Sequence, residues 1–173
     1  MRYRLSRGRG RKKRSEVAMD LQALSMGLTV AGAGLAVGLG CAGSAKGIGT
    51  AAQAAGGVLS EKPHLFGRLL VLLALPGTQG FYGFITMMMI MGRMSSLPQD
   101  LKTGVALLVM GFGVGVALLV SAIWQGQASA ASIAWVARRE GDFGKSLLLP
   151  AMVETYAVVG LLAGILALNS LAS

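Results

Sequence analysis

Four long apolar runs, separated by short connections that hold most of the charge, constrain this chain more than any other feature of its sequence. The first is read as a helix over residues 21–58, ended by SEKPH at 60–64 with its charges and Pro63. The second covers 65–94 and is closed by SSLPQD at 95–100. The third extends over 101–139, and its last turn holds Arg138 and Arg139, which suit the negative end of a helix dipole. The fourth begins after REGDFG and covers 145–171. Charged residues make up only 13% of the 173, against about 25% in soluble domains, so a single water-soluble core is excluded. About twenty apolar residues cross a bilayer, and the reading is an all-α membrane protein with four transmembrane helices.

The net charge of +9 resembles that of a nucleic-acid binder until it is located. Residues 1–19 hold Arg2, Arg4, Arg7, Arg9, Arg11, Lys12, Lys13 and Arg14 against Glu16, and the rest of the chain is nearly neutral. RGRGRKKR suits nucleic acid or anionic head groups, but the expectation is a solvated, disordered tail with no nucleic-acid partner. Met19 is a second candidate start. The apolar run that follows is longer than a signal-peptide core, so it is read as a retained membrane helix.

The two halves read as copies of one helical hairpin. FGRLLVLLALPGTQGFYG at 66–83 parallels FGKSLLLPAMVETYAVVG at 143–160 once two residues are dropped, which places Gln79 opposite Glu154. The expected organisation is a first hairpin over 20–94, a connection at 95–100 and a second hairpin over 101–173. Glycines at 32, 34, 38, 40, 43, 47 and 49, echoed by 111, 113 and 115, allow close approach of helix backbones. Such faces pack helices within one chain or, if many copies form a ring, line its inner circle. GCAGSAKG at 40–47 is a poor match to a phosphate-binding loop, because Ala45 and Gly47 stand at required positions and no strand precedes it. Cys41, the single cysteine, is expected to be a small buried side chain.

Six of the seven acidic residues lie in the head, at helix ends or in connections; Glu154 alone lies inside an apolar run. It follows Lys145 by nine residues, or roughly 14 Å along a helix axis, which sets it near mid-bilayer. An ionisable group there costs at least about 2.5–3.5 kcal/mol and marks a functional site by default. Burial favours the neutral acid, whereas a bound cation or a donor favours the carboxylate, so such a group alternates between occupied and empty states. Polar residues at comparable depth are its expected partners. Pro76 withholds a backbone donor, leaving carbonyls near Leu72 and Leu75 for a cation. Thr78, Gln79 and Tyr82 follow, and the third helix offers Gln125 and Gln127. Together these oxygens make a shell for a hard cation.

ALPGTQGFYG, AIWQGQASAA, PAMVETYAVVG and GSAKGIG resemble the duplicated c-type proteolipid (subunit K) of prokaryotic V-type, also called A/V-type, ATPases, over nearly the whole chain from about residue 20. The resemblance implies a homo-oligomeric rotor ring in the cell membrane. The ring turns against a stator membrane subunit (I or a) and is coupled by a central-stalk subunit (C or d) to a separate catalytic head. It implies that Na⁺ is held by the Leu75 carbonyl, Thr78, Gln79, Gln125 and Glu154, with Tyr82 hydrogen-bonding the carboxylate. Na⁺ is favoured over H⁺ because the full oxygen shell is present. With Gln79 in place of a carboxylate, the first hairpin is expected to be a degenerate site, and each copy of the chain to carry one ion. The family topology places both termini outside, whereas the basic head and the positive-inside rule favour a cytoplasmic N-terminus; these expectations conflict.

The alternative from another class is a small homo-oligomeric four-helix transporter exchanging protons for a cationic substrate, which would want aromatic walls around its carboxylate. An enzyme is not expected: His64 is the single histidine and lies in a connection, so no histidine-based triad or metal cluster is available in the membrane, and no cofactor is expected. MMMIM at 87–91 is read as a lipid-facing or packing surface.

Overall fold

The computed structural model describes residues 2–172, with side-chain surroundings from 15 to 171, and is helical throughout that range apart from its connections. Helix α1 (Arg2–Glu61) is followed by a 3-10 turn at Pro63–Leu65, α2 (Phe66–Ala74), a second 3-10 turn at Leu75–Gly77 and α3 (Thr78–Arg93). Helix α4 (Leu101–Arg138) leads through a turn at Glu140–Asp142 to α5 (Phe143–Ser146) and α6 (Leu148–Ala172). Helices α2 and α3 form one crossing and α5 and α6 another. The described residues thus hold four segments long and apolar enough to span a bilayer: Ser15–Glu61, Pro63–Arg93, Leu101–Arg138 and Glu140–Leu171.

Helix α1 begins at Arg2 and so takes in the basic head. No proline occurs before Pro63, and Arg, Lys, Leu and Glu are good helix formers. Extending an existing helix also avoids the nucleation cost that a short isolated segment bears. The side chains of residues 2–14 lie outside the described surroundings.

Prolines punctuate both second crossings, at different depths. Pro76 lies mid-crossing and coincides with the 3-10 turn that divides α2 from α3. Pro150 occupies the first turn of α6, where its missing amide is tolerated. It still withholds the amide that would bond the Ser146 carbonyl, and the Ser132 hydroxyl of α4 donates to that carbonyl instead, at 2.7 Å.

Contacts fix the packing. Successive approaches of Ser25 to Gly104, Gly32 to Leu107 and Gly43 to Leu119 show α1 and α4 running parallel, while Gly83 meets Ala36 and Gly77 meets Ile48, so α3 runs antiparallel to α1. A Cβ at Gly43 would lie 2.7 Å from the Leu119 Cα, and Gly47 and Gly126 meet backbone to backbone. Only glycine permits these approaches. Gly34, Gly38 and Gly49 face open space in the single chain, so small residues serve the internal seam at some positions and an outward face at others. Cys41 lies on an exposed face rather than buried as expected, because Gly40, Gly43 and Gly47 occupy the packed faces of α1. The glycine-rich stretch at 40–47 is continuous helix, not a phosphate-cradling loop. In the methionine run, Ile90 is buried while Met88 and Met91 are exposed.

Two apolar clusters bracket the middle of the bundle. Leu69, Leu72, Ile133 and Val136 pack with Ala51 and Ala55 towards one end, and Ile90, Leu97, Leu107 and Leu168 with Ala33 towards the other. Polar ties close both ends. Lys62 donates to the Ala137 carbonyl at 2.8 Å and to Glu140 at 3.2 Å, His64 also contacts Glu140, and Arg68 donates to the Glu140 carbonyl. At the opposite end Ser25 donates to the Asp100 carbonyl at 2.6 Å and Arg93 to Asn169. Asp100 caps α4 by accepting the Thr103 amide at 2.8 Å, and that bond holds its carboxyl below the usual range.

Candidate functional site

The break at Pro76 sets up the site. Tightening the backbone into a 3-10 turn brings the Thr78 amide onto the Leu75 carbonyl, and the Thr78 hydroxyl oxygen lies 3.1 Å from the same carbonyl. Of the carbonyls expected to be free near Leu72 and Leu75, that of Leu75 is engaged by both the amide and the hydroxyl of Thr78. From this turn α3 presents Thr78 and Tyr82 on one face, four residues apart, with Gln79 turned inwards and fully buried.

Glu154 arrives from α6, in the second turn after Pro150. Its Oε1 lies 2.7 Å from the Thr78 hydroxyl and accepts the Tyr82 hydroxyl at 2.7 Å. Its Oε2 lies 2.8 Å from Thr78 and accepts the Gln125 amide at 2.5 Å. The Gln125 amide also donates to the Pro150 carbonyl at 3.1 Å. Gln125 is fully buried, and its side-chain oxygen accepts from the Gln79 amide. The structure thus brings together all six residues expected from the sequence: Glu154, Gln125, Gln79, Thr78, Tyr82 and Leu75. Gln127 is exposed on another face of α4, two residues from Gln125 and thus about 200° around the helix.

The surroundings of the Thr78 hydroxyl are unusual. Four oxygens approach it within 3.4 Å: the Leu75 carbonyl, both Glu154 oxygens and Gln79 Oε1. A hydroxyl has one hydrogen, so one bond at a time is satisfied by Thr78 itself. The other close oxygen pairs form a cluster that attracts a proton or a hard cation. The partners of Glu154 are neutral, and no basic side chain is among the contacts described.

Sequence reasoning missed two members. Ser121, one helical turn before Gln125, accepts from the Gln79 amide at 3.3 Å and donates to the Val153 carbonyl at 3.2 Å; its four-residue spacing from Gln125 was the available signal. The Pro150 carbonyl had no side-chain signal at all. Trp124 and Tyr156 line an outward apolar groove with Val120 and Met152, and Tyr156 is 74% exposed. The aromatic side chain that touches the carboxylate is Tyr82.

The family model of the ATP synthase C-subunit matches the chain twice, at residues 31–90 and 108–167. The V-type sodium ATPase subunit K of Enterococcus hirae is 36% identical over 118 residues, covering 68% of this chain and 75% of that protein. The A-type ATP synthase subunit K of Methanocaldococcus jannaschii is 39% identical over 148 residues, covering 82% of this chain and 61% of that protein. With two helical hairpins, each matched by one copy of the model, the chain belongs to the ATP synthase C-subunit family in duplicated form.

Proposed function

We propose that this chain is a rotor-ring subunit of a prokaryotic V- or A-type rotary ATPase, with each copy carrying one Na⁺ on Glu154. The reading rests on the cluster around Thr78, in which one carboxylate and several neutral oxygens converge at mid-crossing. The sodium ATPase named among the relatives supports Na⁺ as the cargo. The oxygens of Leu75, Thr78, Gln79 and Glu154 hold the ion, Gln125 contributes from α4, and Tyr82 orients the carboxylate. Copies assemble side by side in the cell membrane, and their partners are a stator membrane subunit, a central-stalk subunit and the lipid around the ring. The chain itself performs no ATP chemistry; that belongs to partner subunits.

Charge sets the cycle. Facing lipid, Glu154 stays occupied, since a bare carboxylate in hydrocarbon is costly. At the stator a basic group of the partner favours release of the ion. One charge moved across 100 mV is worth about 2.3 kcal/mol, so several ions match the work of one ATP. With Gln79 in the first hairpin and Glu154 in the second, four helices carry one ion, and the ring pumps against a steeper gradient than one with a carboxylate in each hairpin.

The test is dicyclohexylcarbodiimide labelling of Glu154 in native membranes, across pH and with or without Na⁺. The reagent modifies a protonated, lipid-accessible carboxyl. Protection by low Na⁺ is the expected result. Labelling that falls with pH but ignores Na⁺ makes the cargo a proton, and no labelling at all overturns the ion-carrying role.

A further inference from the structure

We infer that Ser121 is a positioning residue for the ion site: by fixing which end of the Gln79 amide faces inwards, it aims the Gln79 oxygen at the cation. This inference rests on the sodium reading above. The direction of each hydrogen bond carries it. The Val153 carbonyl has no hydrogen, so the Ser121 hydroxyl donates to it, at 3.2 Å. Having one hydrogen, Ser121 is left as an acceptor towards Gln79, and the group it meets there at 3.3 Å is Nε2. The second hydrogen of that Nε2 goes to the Gln125 oxygen. Both hydrogens of the Gln79 amide are thereby spent on α4, and Oε1 is turned to Thr78, 3.4 Å away.

The opposite orientation is unfavourable. It would set the Gln79 oxygen against the Gln125 oxygen with no hydrogen between them and would draw the Ser121 hydrogen away from the Val153 carbonyl, in a place where Gln79 and Gln125 are fully buried and Ser121 is 6% exposed. Buried polar atoms without partners are costly. Gln125 is fixed in turn, since its Nε2 meets the Pro150 carbonyl and the Glu154 carboxylate, neither of which donates as a carbonyl or an ionised acid. A cation that draws the Gln125 oxygen towards itself removes the Gln125 hold on Gln79. Ser121 then remains as the contact that keeps Gln79 in register.

The experiment uses the assembled complex in native membranes and reads Na⁺ protection of Glu154 against dicyclohexylcarbodiimide. Ser121→Ala is expected to raise the Na⁺ concentration for half-protection by roughly 2- to 10-fold, the effect of one lost hydrogen bond. The pH profile of labelling without Na⁺ stays in place, and Ser121→Thr, which keeps the hydroxyl, restores protection. In a Gln79→Ala background the same Ser121→Ala change is expected to have no further effect, because its partner is gone. An unchanged half-protection point in Ser121→Ala, a moved Na⁺-free pH profile, or equal loss in the Ala and Thr variants overturns the positioning role alone. A parent chain that Na⁺ never protects overturns the sodium reading and this role with it.

Discussion

The two hairpins share an architecture and divide the chemistry between them. The family model matches residues 31–90 and 108–167, and laying the starts of the two ranges together without a gap sets Ser44 against Ser121 and Ile48 against Gln125 along α1 and α4. Both serines tie a long helix to its own partner: Ser44 accepts the Gly80 amide at 2.9 Å, and Ser121 donates to the Val153 carbonyl at 3.2 Å. Beyond that tether the copies differ. The first hairpin has its proline at mid-crossing and contributes an irregular turn with neutral oxygens. The second has its proline in the first turn and carries the acid on regular helix. The irregular turn and the acid thus come from different hairpins and meet where Glu154 reaches Thr78.

The largest test of that division is Glu154→Gln, which gives both hairpins an amide. Carbodiimide labelling and ion transport are expected to vanish while the complex still assembles; transport that survives would remove Glu154 from the centre of the site. Next, Gln125→Ile makes α4 match α1 at this depth. It removes one donor to Glu154 and leaves buried partners unsatisfied, so half-protection by Na⁺ is expected to need on the order of 10- to 100-fold more Na⁺. Tyr82→Phe deletes one hydroxyl at the edge of the cluster, and a smaller rise of roughly 2- to 10-fold is expected in the same assay.

The glycine seam gives a comparison in stability. Gly47→Val overpacks the contact with α4 and is expected to cost about 1–3 kcal/mol, read as a lower unfolding midpoint of the detergent-solubilised chain. Gly49→Val, on an open face of that chain, is expected to stay within about 0.5 kcal/mol. The smallest effect is at the α4 cap. Because the Thr103 amide holds the Asp100 carboxyl below its ordinary range, its stabilising contribution is present above that range and is lost as pH falls through the lowered value. Thermal melts across acidic pH should lose a small increment in the parent chain that Asp100→Asn lacks.

The four crossings were legible because hydropathy and proline placement act locally, and the site was legible because an acid in an apolar run stands out. Other features depend on rotation about helix axes, which composition does not report. Gln125 and Gln127 look equivalent in the sequence, yet one is buried at the site and the other exposed. Cys41 reads as buried among glycines but lies on an outward face. Ser121 gave only its spacing from Gln125, because a serine in a membrane helix is compositionally ordinary and its contacts are with Val153 and Gln79, 32 and 42 residues away.

The ties at the two ends of the bundle have a mechanical meaning. Lys62 and Arg68 bind the α4–α5 connection at one end, while Ser25 and Arg93 reach Asp100 and Asn169 at the other. The hairpins therefore behave as two bars braced at both extremities, stiff against sliding past each other. Glu154 lies at mid-length between these two sets of ties, so the contacts that join the hairpins at their ends flank the carboxylate on both sides.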